Sequence, residues 1–229
     1  DSAILLVTSN NVPKYNVTTQ SPPSSLLIKS QGGKLVTHIS GVTSHIFEID
    51  GTGAGVNNVA GFITIDGFDL YGLDGDAVKI EQSSYNLIKN CLIRTSNTPN
   101  RVCVYFVNSP CSGNIVEDCE IGTYEHRSDL GVLFEAGASY NVIRRCFIHN
   151  INRQGAISFE IGTATDFNRV LSCIISDSTI GILCDDTNNG NNLVANCAVV
   201  GNSNTGLKIV NKFGPTLNNN IYYQRASDG

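Results

Sequence analysis

Three carboxylates recur at equivalent places in this chain. Glu135, Glu160 and Asp185 each close a short apolar run: V-L-F-E from Val132, I-S-F-E from Ile157 and I-L-C-D from Ile182. If those runs are strands on successive turns of a stacked repeat, the three groups share one outward column with Cα atoms about 4.8 Å apart. Like charges at that spacing raise one another's pKa and weaken the sheet that carries them. Two chemistries use such a cluster. Two carboxyls roughly 5 to 9 Å apart serve as acid and base, or acid and nucleophile, in glycoside cleavage. Clustered oxygens alternatively hold Ca²⁺, which takes 6 to 8 ligands and would bridge to an acidic sugar. The plain alternative is a solvated face whose carboxylates splay apart or meet Lys79, Lys208 or Arg153.

The segments before two of these runs read as loops that add substrate-side groups. Tyr124, His126, Arg127 and Asp129 precede Glu135, and His149, Asn152 and Arg153 precede Glu160. Arg127 and Arg153 suit bidentate capture of a uronate carboxylate. His126 suits proton transfer near neutral pH, and Tyr105 suits stacking on a sugar ring. Solvated surface side chains are the plain alternative for all four. His38 and His45 stand isolated in the sequence and are assigned nothing.

What would position these groups is a repeat. The segments from Asn86, Asn114, Asn141, Asn168 and Asn192 align as N-L-I-K-N-C-L-I, N-I-V-E-D-C-E-I, N-V-I-R-R-C-F-I, N-R-V-L-S-C-I-I and N-L-V-A-N-C-A-V. Their cysteines, Cys91, Cys119, Cys146, Cys173 and Cys197, return every 24 to 28 residues, the signature of units that bury an apolar face only against their neighbours. Two polar residues between the apolar positions predict a corner between two strands. The second run of each repeat supplies two inward columns, one from Val78 through Val104, Val132, Ile157 and Ile182 to Leu207. The other runs from Ile80 through Phe106, Phe134, Phe159 and Cys184 to Ile209. Gly131, Gly155, Gly181 and Gly206 fall where a bend is expected. Lys89, Glu117 and Arg144 alternate in sign at one corner, and Asp118 lies one repeat before Arg145. Asn suits the corners because it tolerates left-handed dihedrals and bonds along a stack. The thiol column is expected to stay reduced, since stacked side chains point the same way; Cys103 and Cys111 are the best-placed pair if any bridge forms.

Composition narrows the function. Hydrophobic residues make up 41% and charged ones 15% of 229 residues, too apolar for disorder. The net charge of −5 and the scattered Lys and Arg argue against nucleic acid. No apolar run reaches the roughly 18 residues of a membrane helix, and no signal segment opens the chain. With Asp1 first and no Met, it reads as a mature form or an excised fragment.

The chain resembles the right-handed parallel β-helix superfamily that includes pectate lyases, alginate lyases, polygalacturonases and phage tailspikes. The resemblance rests on I-T-I-D-G-F from Ile63, the recurring N-x-[IV]-x-x-C-x-I and G-I-L-C-D-D-T-N-N-G-N-N-L-V-A-N-C from Gly181, and extends from about Leu26 to Tyr223. It implies secreted or virion-borne proteins that bind or cleave acidic polysaccharide, the lyases often with Ca²⁺. The Lys and Arg motifs of those lyases find no match. The Asp185-Asp186 pair is similar to the paired Asp of polygalacturonases, whose N-T-D, G-H-G and R-I-K motifs are missing.

The expectation is therefore an all-β, single-domain right-handed parallel β-helix over residues 1–229. It has eight or nine coils, irregular over 1–60 and regular over 61–223. The protein is expected outside the cell or on a virion, binding or cleaving a polysaccharide that contains uronate. Glu135, Glu160 and Asp185 are the catalytic or Ca²⁺-binding set, and Arg127, Arg153, His126 and Tyr105 the substrate-binding set. The alternatives are a structural or adhesive module, such as a homotrimeric tailspike shaft, and a carbohydrate-binding domain of a longer chain.

Overall fold

The computed structural model describes residues 2–7, 15–16, 25–30, 38–41, 45–51, 61–96, 98–122, 128–160, 165–185, 191–210 and 214–224. Among them no helix forms, and none is long and apolar enough to cross a membrane. Short strands rich in β-branched residues stack into three parallel sheets of nine, eight and eight strands. Each regular coil gives one strand to each sheet. The coil from Leu87 shows the plan: Leu87–Lys89, a corner at Asn90 and Cys91, Leu92–Thr95, then Val102–Val107.

Register follows the sequence repeat. Val78, Val104, Val132, Ile157, Ile182 and Leu207 pair in succession across the third sheet. One step on, Phe106, Phe134 and Phe159 stack with ring centroids 5.0 and 5.2 Å apart and planes within 8°. These rings are fully buried, as is Phe68, which takes the cysteine place one coil before Cys91. All eight cysteines are buried and free, Cys103 and Cys111 included. The corner thiols bond instead of bridging: Cys91, Cys119 and Cys146 donate to the carbonyls of Lys89, Glu117 and Arg144 at 3.1, 3.2 and 3.3 Å.

The two expected uses of Asn fall on two different columns. Asn90 and Asn196 take the left-handed turn, with φ of 54° and 55°. Asn86, Asn114, Asn141, Asn168 and Asn192 are buried and form a ladder. Asn114 Nδ2 donates to Asn141 Oδ1 at 2.9 Å, and Asn141 Nδ2 to Asn168 Oδ1 at 3.1 Å. The same oxygens accept the backbone N–H of Asn114 and Asn141, each at 3.0 Å. Corner donors that burial would otherwise leave unpaired are thus satisfied. The charged corner also keeps register, with Arg145 Nε 2.7 Å from Asp118 Oδ1 and Arg144 Nη2 2.6 Å from Glu117 Oε2.

The glycines correct one expectation. Gly131, Gly155, Gly181 and Gly206 lie within the strands, not at bends before them. A Cβ at Gly131 would sit 2.2 Å from the Ala156 carbonyl oxygen, and one at Gly181 2.5 Å from that of Gly206. Close approach of backbones, rather than turning, requires Gly131, Gly155 and Gly181, while a Cβ at Gly206 would meet only side chains at 3.5 Å.

Candidate functional site

The carboxylate column exists as a ladder on the outer side of the third sheet. Glu135, Glu160 and Asp185 donate their backbone N–H groups to the carbonyls of Phe106, Phe134 and Phe159 at 3.0, 3.0 and 2.9 Å. Each residue therefore follows directly from a paired position of the ring stack, on neighbouring coils.

The outer side is less open than alternation predicts. Leu133, Ser158 and Leu183 point away from the main core yet are buried. Val102, Leu130 and Leu133 make a second, external apolar cluster with Tyr105 packed on it. Beside that cluster opens a cleft of about 190 Å³, whose lining includes Tyr105, Glu135, Gln154 and Glu160. Tyr105 donates its phenolic O–H to Glu135 Oε2. Burial and the Glu135 carboxylate push the phenol far above its ordinary pKa, so it remains a donor at every working pH.

Glu160 has a different setting. Its Oε1 is buried without a hydrogen-bond partner, and so is Oε1 of Gln154 on the same cleft. Burial raises the Glu160 pKa first, and the charges of Glu135 and Asp185 raise it further. One member of the pair is thus an acceptor already served by a phenol, and the other a carboxyl biased toward keeping its proton. Asp185 lies one coil further on and contributes charge rather than cleft lining.

Arg153 stands at the rim, exposed, with Nη1 3.4 Å from Asn100 Oδ1 and 3.9 Å from Asp129 Oδ2. Asn100 itself lines the cleft. Arg127 and His126 lie outside the described residues. His149 is not a loop group: it ends the strand Phe147–His149, is fully buried, stacks on Phe147 at 4.2 Å and sits 3.2 Å from Glu120. Burial lowers its pKa, which makes it a structural neutral histidine. His45 is not isolated either, with Nδ1 3.1 Å from Asp76 Oδ2.

Sequence reading missed Asp76, Asn100 and Gln154, whose side of the cleft lies outside the strand alternation. Leu133 carried a usable signal, a large apolar residue at an outward position. Among the described residues no three His, Cys, Asp or Glu side chains are placed to hold a metal ion. The Ca²⁺ expectation for Glu135, Glu160 and Asp185 gains no ready-made cage.

No curated protein matches the chain. Among solved structures it is similar to the A-module of the mannuronan C-5 epimerase AlgE4 from Azotobacter vinelandii. That likeness has 11% identity over 98% of this chain and 87% of the other, with a TM-score of 0.31. A family model described as a right handed beta helix region matches residues 44–222. That span takes in every regular coil and the whole carboxylate ladder, and the chain belongs to the right-handed β-helix family.

Proposed function

We propose that this protein hydrolyses an acidic polysaccharide in the cleft beside Glu135 and Glu160, outside the cell or on a virion surface. Glu160, whose proton burial and the charges of Glu135 and Asp185 help to retain, gives that proton to the glycosidic oxygen of the leaving sugar. Glu135, fixed by Tyr105, faces the anomeric carbon or takes the proton of the attacking water. Gln154 Oε1 accepts a sugar hydroxyl, and Arg153 at the rim binds a uronate carboxylate through two parallel N–H groups. The observation that carries this reading is the buried, unpartnered Glu160 oxygen at a cleft, between two further carboxylates. Such a group destabilises the sheet, and groups perturbed in this way cluster at functional sites.

The test is incubation with polygalacturonate, pectin and alginate, with Ca²⁺ and with chelator. Reducing ends report hydrolysis and ultraviolet absorbance reports the unsaturated ends of lyase action. Glu160→Gln is expected to lower turnover by about 100-fold or more. Activity that survives this change misplaces the acid, and absence of product across the panel removes the enzyme reading. Activity only with Ca²⁺ favours the cation alternative.

A further inference from the structure

One corner of the stack departs from the chemistry of the others. The residue just before four of the ladder Asn turns the chain with positive φ: Tyr85, Gly113, Tyr140 and Phe167 at 61°, 67°, 60° and 60°, with Phe62 at 61° one coil earlier. At the cysteine corner the same left-handed turn falls mostly to Asn90, Asp118, Ser172, Asn196 and Asn219, short polar side chains that tolerate it. Bulky aromatic rings are a poor conformational choice there. Something other than turning keeps them.

The rings are also exposed, by 53% at Phe62, 60% at Tyr85, 57% at Tyr140 and 41% at Phe167. They pair along the stack, Phe62 on Tyr85 at 5.5 Å and 14°, Tyr140 on Phe167 at 4.8 Å and 10°. Near-parallel rings in contact at about 3.5–4.0 Å but with centroids that far apart are offset, like treads of a stair. Each tread leaves part of its face open. Between the pairs stands Gly113, where a Cβ would lie 2.8 Å from the Tyr85 ring; the missing side chain leaves Tyr85 room to lie across that coil.

We propose that this corner is a second glycan-binding strip, on which the apolar C–H faces of pyranose rings of a polysaccharide lie against Phe62, Tyr85, Tyr140 and Phe167. A row of flat faces repeating along the coil axis suits a ligand that itself repeats. Nucleic acid, which also stacks, asks for basic side chains along its phosphates, and the residues that precede the rings, Gly61, Ser84, Ser139 and Asp166, supply none. The strip runs along the same coils as the cleft. Tyr140 follows Glu135 by five residues, a span of at most about 18 Å, so one long chain reaches both. The ligand class rests on the polysaccharide reading above, while the strip itself does not use Glu160.

The test replaces the rings with the residue the turn prefers. A variant carrying Phe62→Asn, Tyr85→Asn, Tyr140→Asn and Phe167→Asn should melt no lower than the parent, since the left-handed turn is relieved. Affinity electrophoresis through gels containing polygalacturonate, alginate, xylan or a soluble glucan should show polymer binding about tenfold weaker, which is about 1.4 kcal/mol. Turnover of short oligosaccharides that occupy the cleft alone should be unchanged. Unaltered polymer affinity in the variant overturns the strip, as does a parent that binds none of the four polymers. Ring-dependent binding to phosphatidylcholine vesicles in place of polymer also overturns it. Polymer binding lost in the Asn variant while Glu160→Gln leaves turnover intact would refute the cleft assignment and keep the strip.

Discussion

The outward carboxylate column is handled in two ways at two heights. In the coil of Glu81, Lys79 lies beside it and also reaches Glu48 at 3.4 Å, while Asn108 Nδ2 donates to Glu81 Oε1 at 2.7 Å. Burial works against the Lys79 charge, yet Glu81 and Glu48 outweigh it and raise its pKa. Two and three coils later the position of Lys79 is held by Leu133 and Ser158, and among the described residues no cation offsets the charges around Glu160. The same backbone geometry therefore carries a neutralised acid at one height and a strained one at another. Only the strained one borders the cleft, which argues that position along the axis, not the repeat itself, sets the chemistry.

Removing the cation should erode that difference most. Lys79→Met leaves Glu48 and Glu81 without their shared cation in a partly buried setting, and a loss of about 2 kcal/mol at pH 7 is expected in chemical denaturation. A loss under about 0.5 kcal/mol would show that the two heights are not electrostatically distinct. Tyr105→Phe is the next largest change. It deprives Glu135 of its phenol and should cost about 1.5 kcal/mol, as hydrogen bonds to charged groups do, with reduced turnover and an intact fold by circular dichroism.

Glu160→Gln should act in the opposite direction, stabilising by about 1 kcal/mol at pH values where Glu160 has lost its proton, because a buried charge is removed. It also tests pH. The Glu160 pKa in the folded protein lies above its ordinary 4.5. Between those two values the folded chain holds a proton that the unfolded chain has released, so stability falls as pH rises through that window. The parent should show that decline in melting temperature above pH 4.5, and the Gln variant should show less of it. Identical profiles would mean that Glu160 titrates normally.

The repeat made the scaffold legible. Cys91 through Cys197, the Val and Phe columns and the Asp118–Arg145 pair all return at one period, and parallel stacking turns equal spacing into contact. What lies outside the strands was not legible. His149 reads as a loop residue by its polar neighbours, yet it closes a strand against Phe147 and Glu120. Asp76, Asn100 and Gln154 reach the cleft from segments whose lengths vary between coils, and variable length breaks the alignment that revealed everything else. The aromatic corner was within reach of alignment, one residue before the ladder residues Asn86, Asn141 and Asn168, where sidedness is masked because the turn inverts the alternation.

The amide ladder has ends, and they matter. It opens where Ile63 N–H meets Asn86 Oδ1 at 3.1 Å and closes at Asn192, which accepts from Asn168 at 2.8 Å. In the following coil the corresponding place belongs to Pro215, which has no amide to offer. From Ile63 to Asn192 the coils are zipped by side chains as well as by strands. The turn after it lacks that ladder and relies on its strands and on Asn219 and Asn220, with Asn220 Oδ1 accepting the Cys197 N–H at 2.9 Å and Asn219 Nδ2 donating to Asn196 Oδ1 at 2.7 Å, so amide exchange should be faster around Leu217 than near Asn141.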